Sequence, residues 1–118
     1  MKNTIFLMMC LFLSTSFLVA QKNYQLVQNL PYYSQERQEK DEYLKERCKL
    51  DVYYPKDTLN VPTVVWFHGG GLEFGAKHIP EGLKEKGVIV VTVNYRLHPK
   101  VTNPVYIEDA AAAVAWTI

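Results

Sequence analysis

The sequence predicts an α/β fold built on a mostly parallel sheet with flanking helices. Residues 63–67 and 88–95 are nearly continuous runs of apolar, β-prone residues, which predict strands buried on both faces. Between them, residues 80–86 begin with proline and are followed by Gly87, a pattern typical of a short helix. A strand, a crossover helix and a second strand in this order predict a right-handed unit with parallel strands.

Shorter elements are predicted before this unit. Residues 24–33 predict a short strand that ends, or lies at a sheet edge, near Pro31. Residues 34–45 are polar and predict a loop or a short exposed helix. The alternation of polar and apolar residues over 47–54 predicts a half-buried strand. Cys48 then shares a face with the apolar residues of that strand, so we interpret it as a buried structural thiol.

A helix is predicted at the end of the sequence. Asn103 and Pro104 are typical of a cap followed by a first-turn proline. One apolar stripe then follows at helical spacing, formed by Ile107, Ala111, Val114 and Ile118. No glycine, proline or basic residue ends the helix, and two parallel strands alone bury little core. We therefore expect this sequence to be the N-terminal part of a larger domain.

The first twenty residues predict a signal peptide. Lys2 is followed by an apolar run that ends at Ala20, a small residue suited to cleavage. Residues 5–20 are too short for a membrane-spanning helix, which needs about 20 residues. A lipid anchor at Cys10 is disfavoured by the two methionines before it. We expect 1–20 to be removed, 21–118 to be secreted or periplasmic, and no stable membrane insertion.

Charge and cysteine content exclude several function classes. The chain has 13 basic and 12 acidic residues, and removing Lys2 with the signal peptide leaves 12 of each. A neutral chain argues against a nucleic-acid partner, which needs a clustered basic surface. Only Cys48 would remain as a thiol, and no Cys/His spacing suits zinc. We expect no metal and no cofactor.

The residues most informative about chemistry are His68, Gly69, Gly70 and Gly71, which follow the first predicted apolar strand. Ligands bind at the carboxyl edge of a parallel sheet, and glycines let backbone N–H groups approach a charged atom. An oxyanion hole, a phosphate-binding loop and a plain tight turn are the alternatives. A phosphate loop would need a Gly-Lys-Ser/Thr or GxGxxG pattern, and Phe74 stands where the latter needs glycine. The oxyanion hole and the tight turn both remain open on spacing alone.

Four motifs in order resemble the α/β-hydrolase esterases that carry an HGGG loop, near the hormone-sensitive-lipase-like and feruloyl-esterase-like groups. The similar segments are LDVYYP at 50–55, VVWFHGGG at 64–71, VVTVNYRLHP at 90–99 and EDAAAAVAW at 108–116. The resemblance implies the N-terminal part of an α/β-hydrolase fold, ending before the nucleophile elbow. It also implies an ester substrate, either a small molecule or one linked to a saccharide, and formamides are compatible.

The resemblance implies specific roles in the glycine loop. Gly70 and Gly71 correspond to the oxyanion donors, which act through their backbone N–H groups. His68, adjacent to Gly69, corresponds to the histidine that orders the loop rather than to the catalytic base. The family usually has an aromatic residue after the glycines, where this sequence has Leu72. That difference leaves the substrate pocket open.

The catalytic triad is not expected within this sequence. The fold needs a GxSxG elbow, and Ser34, the only serine after the signal peptide, has no flanking glycines. Arg96 and Asp109 are interpreted as structural partners of nearby groups rather than as substrate-binding or triad residues. The alternative function is a catalytically inactive, short secreted binding protein derived from a hydrolase. The oligomeric state stays open.

Overall fold

A computed structural model describes residues 23–118 as a mixed four-stranded sheet with three short-to-medium α-helices. The predicted signal peptide, residues 1–20, lies outside the described residues. In chain order the elements are β1 (Tyr24–Pro31), α1 (Gln35–Lys40), α2 (Glu42–Arg47), β2 (Lys49–Pro55), β3 (Thr63–Phe67), a 3₁₀ turn (Glu81–Leu83), β4 (Ile89–Val93) and α3 (Val105–Thr117).

The strands lie in the order β1-β2-β4-β3. β3 and β4 pair in parallel, as predicted, with Phe67 opposite Val93, whereas β1–β2 and β2–β4 are antiparallel. The expectation that both apolar strands are buried on both faces is confirmed for most of β4 and wrong for β3. Within residues 23–118, β3 has a neighbour on one side only, and Trp66 is 37% exposed.

One face of the sheet packs against α2 and α3 and forms the core. Side chains separated by two positions along a strand share a face, so β2 and β4 each contribute alternate residues. Cys48 is 2% exposed within this cluster, which confirms the predicted buried thiol. Burial raises the pKa of the Cys48 thiol to about 12. The buried members of the core are Tyr32, Leu44, Cys48, Leu50, Val91, Val93 and Ala113.

The connection from β3 to β4 crosses the other face. Its Lys77 Nζ lies 2.6 Å from a carboxylate oxygen of Asp51 on β2, and both side chains are largely buried. The backbone N–H of His78 donates to the hydroxyl of Thr92 on β4. The predicted crossover helix over 80–86 is wrong, because only the 3₁₀ turn Glu81–Leu83 forms. Polar anchors at Lys77 and His78 hold this segment extended against the sheet.

Residues 34–47 form two short helices rather than a loop. The Ser34 hydroxyl accepts a hydrogen bond from Arg37 N at the start of α1, and the Asp41 carboxylate accepts one from Leu44 N at the start of α2. Both arrangements are N-caps, which satisfy backbone N–H groups that have no partner within the helix. The side chains of Ser34 and Asp41 therefore help to start the two helices in this polar segment.

The last helix differs from the prediction at its start and in its orientation. α3 begins at Val105 with Pro104 in the cap position and no side-chain cap, so Asn103 is not the cap. The predicted apolar stripe does not face the core, since Ile107 is 59% and Val114 39% exposed. Asp109 is instead fully buried, and its ion pair with Arg96 places the side of α3 that carries Asp109 against the rest of the structure. No helix among the described residues is long and apolar enough to cross a membrane.

Candidate functional site

The site lies where the parallel strands β3 and β4 end side by side. Because Phe67 is paired with Val93, the residues that follow each strand emerge at the same sheet edge. His68 begins the glycine loop after β3, and Tyr95 lies beyond the end of β4. Their rings stack with centroids 4.6 Å apart and planes 12° apart, and the Tyr95 hydroxyl donates to the His68 carbonyl at 2.8 Å. The start of the loop is thus fixed to the neighbouring strand.

The glycine loop adopts backbone angles that favour glycine. Gly70 has φ +125°, Gly71 has φ +63° and Leu72 has φ +66°. Consecutive residues in the left-handed region are disfavoured for side chains with a Cβ, which explains glycine at the first two positions. A Cβ on Gly70 would also overlap the carbonyl oxygen of Phe74, whereas space around Gly71 is open. The two glycines are therefore required for different reasons.

Hydrogen bonds hold the loop through its carbonyl oxygens. The Gly70 carbonyl accepts from the N–H groups of Glu73 and Phe74 at 3.1 and 3.2 Å, which closes a turn. The Leu72 carbonyl accepts from His98 N at 2.8 Å. Among residues 23–118, no hydrogen bond is donated by the backbone N–H of Gly70 or Gly71. Two successive amide donors are left available in a partly exposed turn, which is the type of backbone feature that binds anions.

His68 is buried beneath this loop, with 4% exposure. Its Nδ1 lies 2.8 Å from the Gly69 carbonyl oxygen, which can only accept, so Nδ1 carries the proton. Burial lowers the pKa of His68, and the nearby positive charge of Arg47 lowers it further, although the Gly69 hydrogen bond opposes both effects. His68 is therefore neutral at pH 7 and serves as a rigid support of the loop. These contacts agree with the predicted loop-ordering role, which itself stays a prediction.

Two residues near the loop were not singled out by the sequence patterns. Arg47, at the end of α2, donates to the carbonyls of Tyr95 and Gly75 at 3.1 and 3.2 Å. Gly75 has φ +109°, and a Cβ there would lie 2.5 Å from both the Gly69 oxygen and His68 Nδ1. Arg47 stands at the start of the strand predicted over 47–54, where nothing marks it as a loop contact, and nothing in the sequence around Gly75 distinguishes it from an ordinary loop glycine.

Leu72 lies beside an apolar cavity next to the loop. The cavity is about 320 Å³ in volume, and its lining is almost entirely apolar. Its position next to the glycines makes it a candidate for an apolar part of a ligand. The lining residues are Phe67, Leu72, Tyr95, Tyr106, Ile107 and Ala110.

Arg96 and Asp109 form a buried ion pair. Arg96 Nη2 and Nε donate to the two carboxylate oxygens at 2.7 and 2.9 Å, and Tyr33 donates a further hydrogen bond to Asp109. Burial opposes ionisation of Asp109, yet the Arg96 hydrogen bonds hold its pKa below the usual range. The prediction that these residues are structural partners is confirmed. Within the described part of the chain, no group of His, Cys, Asp or Glu residues could hold a metal ion.

Residues 50–118 match the BD-FAE family of α/β hydrolases over more than half of the chain. The chain belongs to the BD-FAE family. This match confirms the predicted esterase resemblance, and the segment that matches begins within β2 and includes the glycine loop and α3.

Individual relatives of this BD-FAE chain are esterases and a formamidase. Esterase LipI of Mycobacterium tuberculosis is 38% identical over 73 residues, which cover 55% of this chain and 23% of that protein. Kynurenine formamidase of Salmo salar is 39% identical over 75 residues, covering 59% of this chain and 26% of that protein. The chain thus spans about a quarter of the length of these curated relatives.

Solved structures confirm the α/β-hydrolase fold. Esterase B from Lactobacillus Rhamnosis superimposes with a TM-score of 0.65 and 26% identity, over 80% of this chain and 30% of that one. The same esterase inhibited by a tributyrin phosphonate has a TM-score of 0.62 and 27% identity, with the same coverage. The sheet and helices described for residues 23–118 therefore correspond to a part of the esterase fold.

Proposed function

We propose that this chain forms the N-terminal part of a secreted serine hydrolase of carboxylic esters and supplies its oxyanion hole. The observation that supports this role is the hydrogen-bonding pattern of the glycine-loop backbone. Its carbonyl oxygens at Gly70 and Leu72 are engaged, whereas the N–H groups of Gly70 and Gly71 have no acceptor among residues 23–118. Donors of this kind stabilise the negative oxygen of a tetrahedral intermediate.

In the proposed reaction, a serine hydroxyl adds to the ester carbonyl carbon while a base takes its proton. The electron pair of the C=O bond moves to oxygen, and the amides of Gly70 and Gly71 stabilise that oxygen. The intermediate then collapses to an acyl-enzyme, and the alcohol leaves with the proton from the base. Water, deprotonated by the same base, adds to the acyl carbon, and collapse of this second intermediate releases the acid and returns the proton to the serine oxygen. The nucleophile, the base and the acid that orients the base lie outside residues 23–118, after the glycine loop in chain order.

The substrate class is supported by the relatives and by the cavity beside Leu72. Esterases among the relatives favour a carboxylic ester, and the tributyrin phosphonate bound by esterase B is an analogue of an acyl-transfer intermediate. The apolar cavity of about 320 Å³ favours an apolar acyl or alkyl group on one side of that ester. The other side of the ester can be a small alcohol or a saccharide, and a formamide would use the same oxyanion donors.

The decisive experiment compares two substitutions at Gly71 in the intact gene product. Gly71→Pro removes the N–H and fixes φ near −65°. Gly71→Ala keeps the N–H, and its Cβ enters open space, so it reports only the cost of a side chain at φ +63°. We expect Gly71→Pro to lower kcat for a nitrophenyl ester by about 10²–10³-fold relative to Gly71→Ala.

A phosphonate adduct gives an independent measurement of the same hydrogen bonds. We expect the ¹⁵N–H resonances of Gly70 and Gly71 to move downfield when the phosphonyl oxygen binds, and the Gly82 resonance to stay in place. Equal kcat values for the two Gly71 variants, with unshifted glycine resonances in the adduct, would show that the loop is only a turn. A protein that neither hydrolyses esters nor reacts with the phosphonate would favour the inactive binding protein instead.

A further inference from the structure

The Arg47 guanidinium links three separate segments of the chain at the base of the glycine loop. Its Nε donates to the carbonyl of Tyr95 beyond β4, and its Nη2 donates to the carbonyl of Gly75 at the end of the loop. The same Nη2 lies 3.4 Å from Nε2 of His68 at the start of the loop. One side chain on α2 therefore contacts both ends of the loop and the neighbouring strand end.

The His68 ring has the protonation state that lets its Nε2 accept a hydrogen bond from Arg47. Since Nδ1 donates to the Gly69 carbonyl, Nε2 of the neutral ring has a free lone pair and accepts from Arg47. A doubly protonated ring would instead bring two positive groups to 3.4 Å. The groups facing the ring are Arg47 from α2 and the stacked Tyr95 from beyond β4, and His78 in the β3–β4 connection also contributes to lowering the pKa of His68.

The contact at Gly75 adds a tight geometric constraint. The backbone at Gly75 approaches both Gly69 and the His68 ring so closely that no Cβ fits there. By holding the Gly75 carbonyl and the His68 ring with one Nη2 group, Arg47 keeps the two ends of the loop together. The amides of Gly70 and Gly71 lie between these two ends.

We propose that Arg47 is the positioning residue of the glycine loop, and that, together with the Gly69 carbonyl, it holds His68 as the neutral Nδ1–H tautomer. The kinetic part of this inference rests on the proposed esterase function, whereas the tautomer does not. A planar guanidinium presents several N–H donors in a fixed fork, and an ammonium group cannot reproduce that geometry. Lysine at this position restores the charge without restoring the three contacts.

The test uses ¹⁵N NMR of the His68 ring and steady-state kinetics in the intact gene product. We expect the Nδ1–H tautomer in the parent. In Arg47→Met we expect a raised pKa of His68, because a neighbouring positive charge is lost, and a mixed tautomer, because Nε2 loses its hydrogen-bond donor. We expect kcat to fall by up to about 100-fold with a smaller change in KM, because displaced donors act mainly on the transition state. Arg47→Lys should recover only part of this loss.

The control is the same substitution at an exposed arginine, Arg37→Met on α1, which should change neither the His68 ring nor kcat. An Arg47→Met protein with the parental tautomer and pKa at His68, or with parental kcat, would overturn the inference. If Arg47→Met does not fold, the ring tautomer and kcat of Arg47→Lys decide it, because lysine keeps the charge but not the guanidinium contacts; the parental tautomer or the parental kcat in that variant would overturn the inference. Absence of esterase activity in the parent would instead contradict the proposed function, and the ring measurement would still decide whether Arg47 holds His68.

Discussion

Single glycines in and near the loop differ in how much a side chain would disturb them. Gly70 and Gly75 both have positive φ and no room for a Cβ, because Phe74 blocks the first and Gly69 with His68 blocks the second. Gly82 has neither constraint. Gly70 and Gly75 have no room for a Cβ because the closed turn brings other residues of the loop against them, whereas Gly82 has no such neighbour.

We therefore predict that Gly70→Ala and Gly75→Ala each lower the free energy of unfolding by at least about 1–3 kcal/mol from backbone strain, with the steric overlap adding to this. Gly82→Ala should change it by less than about 1 kcal/mol, in the stabilising direction. Urea denaturation of the three variants of the intact gene product measures these differences. Three equal values would contradict the closed geometry of the loop.

At the same scale, the sequence predicts some site residues and not others. His68, Gly70 and Gly71 are predictable because they lie together in a short motif at the end of an apolar strand. Arg47 and Gly75 are not, because the contacts of Arg47 with His68 and Gly75 span 21 and 28 residues. Contacts of that range depend on how α2 is placed against the sheet, which no local pattern describes.

At the scale of elements, the structure agrees with the sequence where a local pattern decides and differs where packing decides. The parallel pairing of β3 and β4 was predictable from two apolar strands joined by a crossover. The orientation of α3 was not, because a charged residue, Asp109, faces inward and the apolar Ile107 faces outward. The ion pair between Asp109 and Arg96, rather than burial of the apolar stripe, determines which side of α3 faces the sheet. Helical spacing does not predict that pairing.

This pair leads to a prediction about how α3 is attached to the end of β4. Asp109 is fully buried and accepts hydrogen bonds from Arg96 and Tyr33, so Asp109→Asn would leave a buried guanidinium without its main partner. We expect the free energy of unfolding to fall by about 3–5 kcal/mol at pH 7. The exposed neighbour Glu108 is the control, and Glu108→Gln should cost less than about 0.5 kcal/mol.

The same pair predicts a pH dependence of stability. Because the folded pKa of Asp109 is depressed, its stabilisation is complete above the ordinary aspartate pKa of about 3.9 and is lost as the pH falls through the depressed value. The difference in stability between the parent and Asp109→Asn should therefore begin to shrink as the pH falls below about 4. A difference that stays constant from pH 7 to pH 3 would contradict an ionised Asp109.

At the scale of the whole molecule, residues 23–118 expose more apolar surface than an isolated domain tolerates well. β3 has one strand neighbour in this part of the chain, and the exposed side of that edge carries Trp66. On α3, Ile107, Val114 and Trp116 are 59%, 39% and 44% exposed. An unpaired strand edge beside apolar side chains favours association with another chain. The segment that this chain matches is 23% and 26% of the length of two of its relatives.

We predict that residues 23–118, expressed alone, associate in solution and unfold without a sharp cooperative transition. Hydrolysis of a nitrophenyl ester should not exceed that of a Ser34→Ala variant, because the Ser34 hydroxyl caps α1 and no base lies in hydrogen-bond contact with it among the described residues. Circular dichroism melting, sedimentation velocity and the ester assay measure the three properties. A soluble monomer with a cooperative melt would show that these strands and helices bury enough surface to fold alone, and would favour a short binding protein.

Activity lost on Ser34→Ala would identify a nucleophile outside the expected elbow. Association and inactivity are the expected results, because β3 has a strand neighbour on one side only among residues 23–118 and none of these residues fits the serine nucleophile.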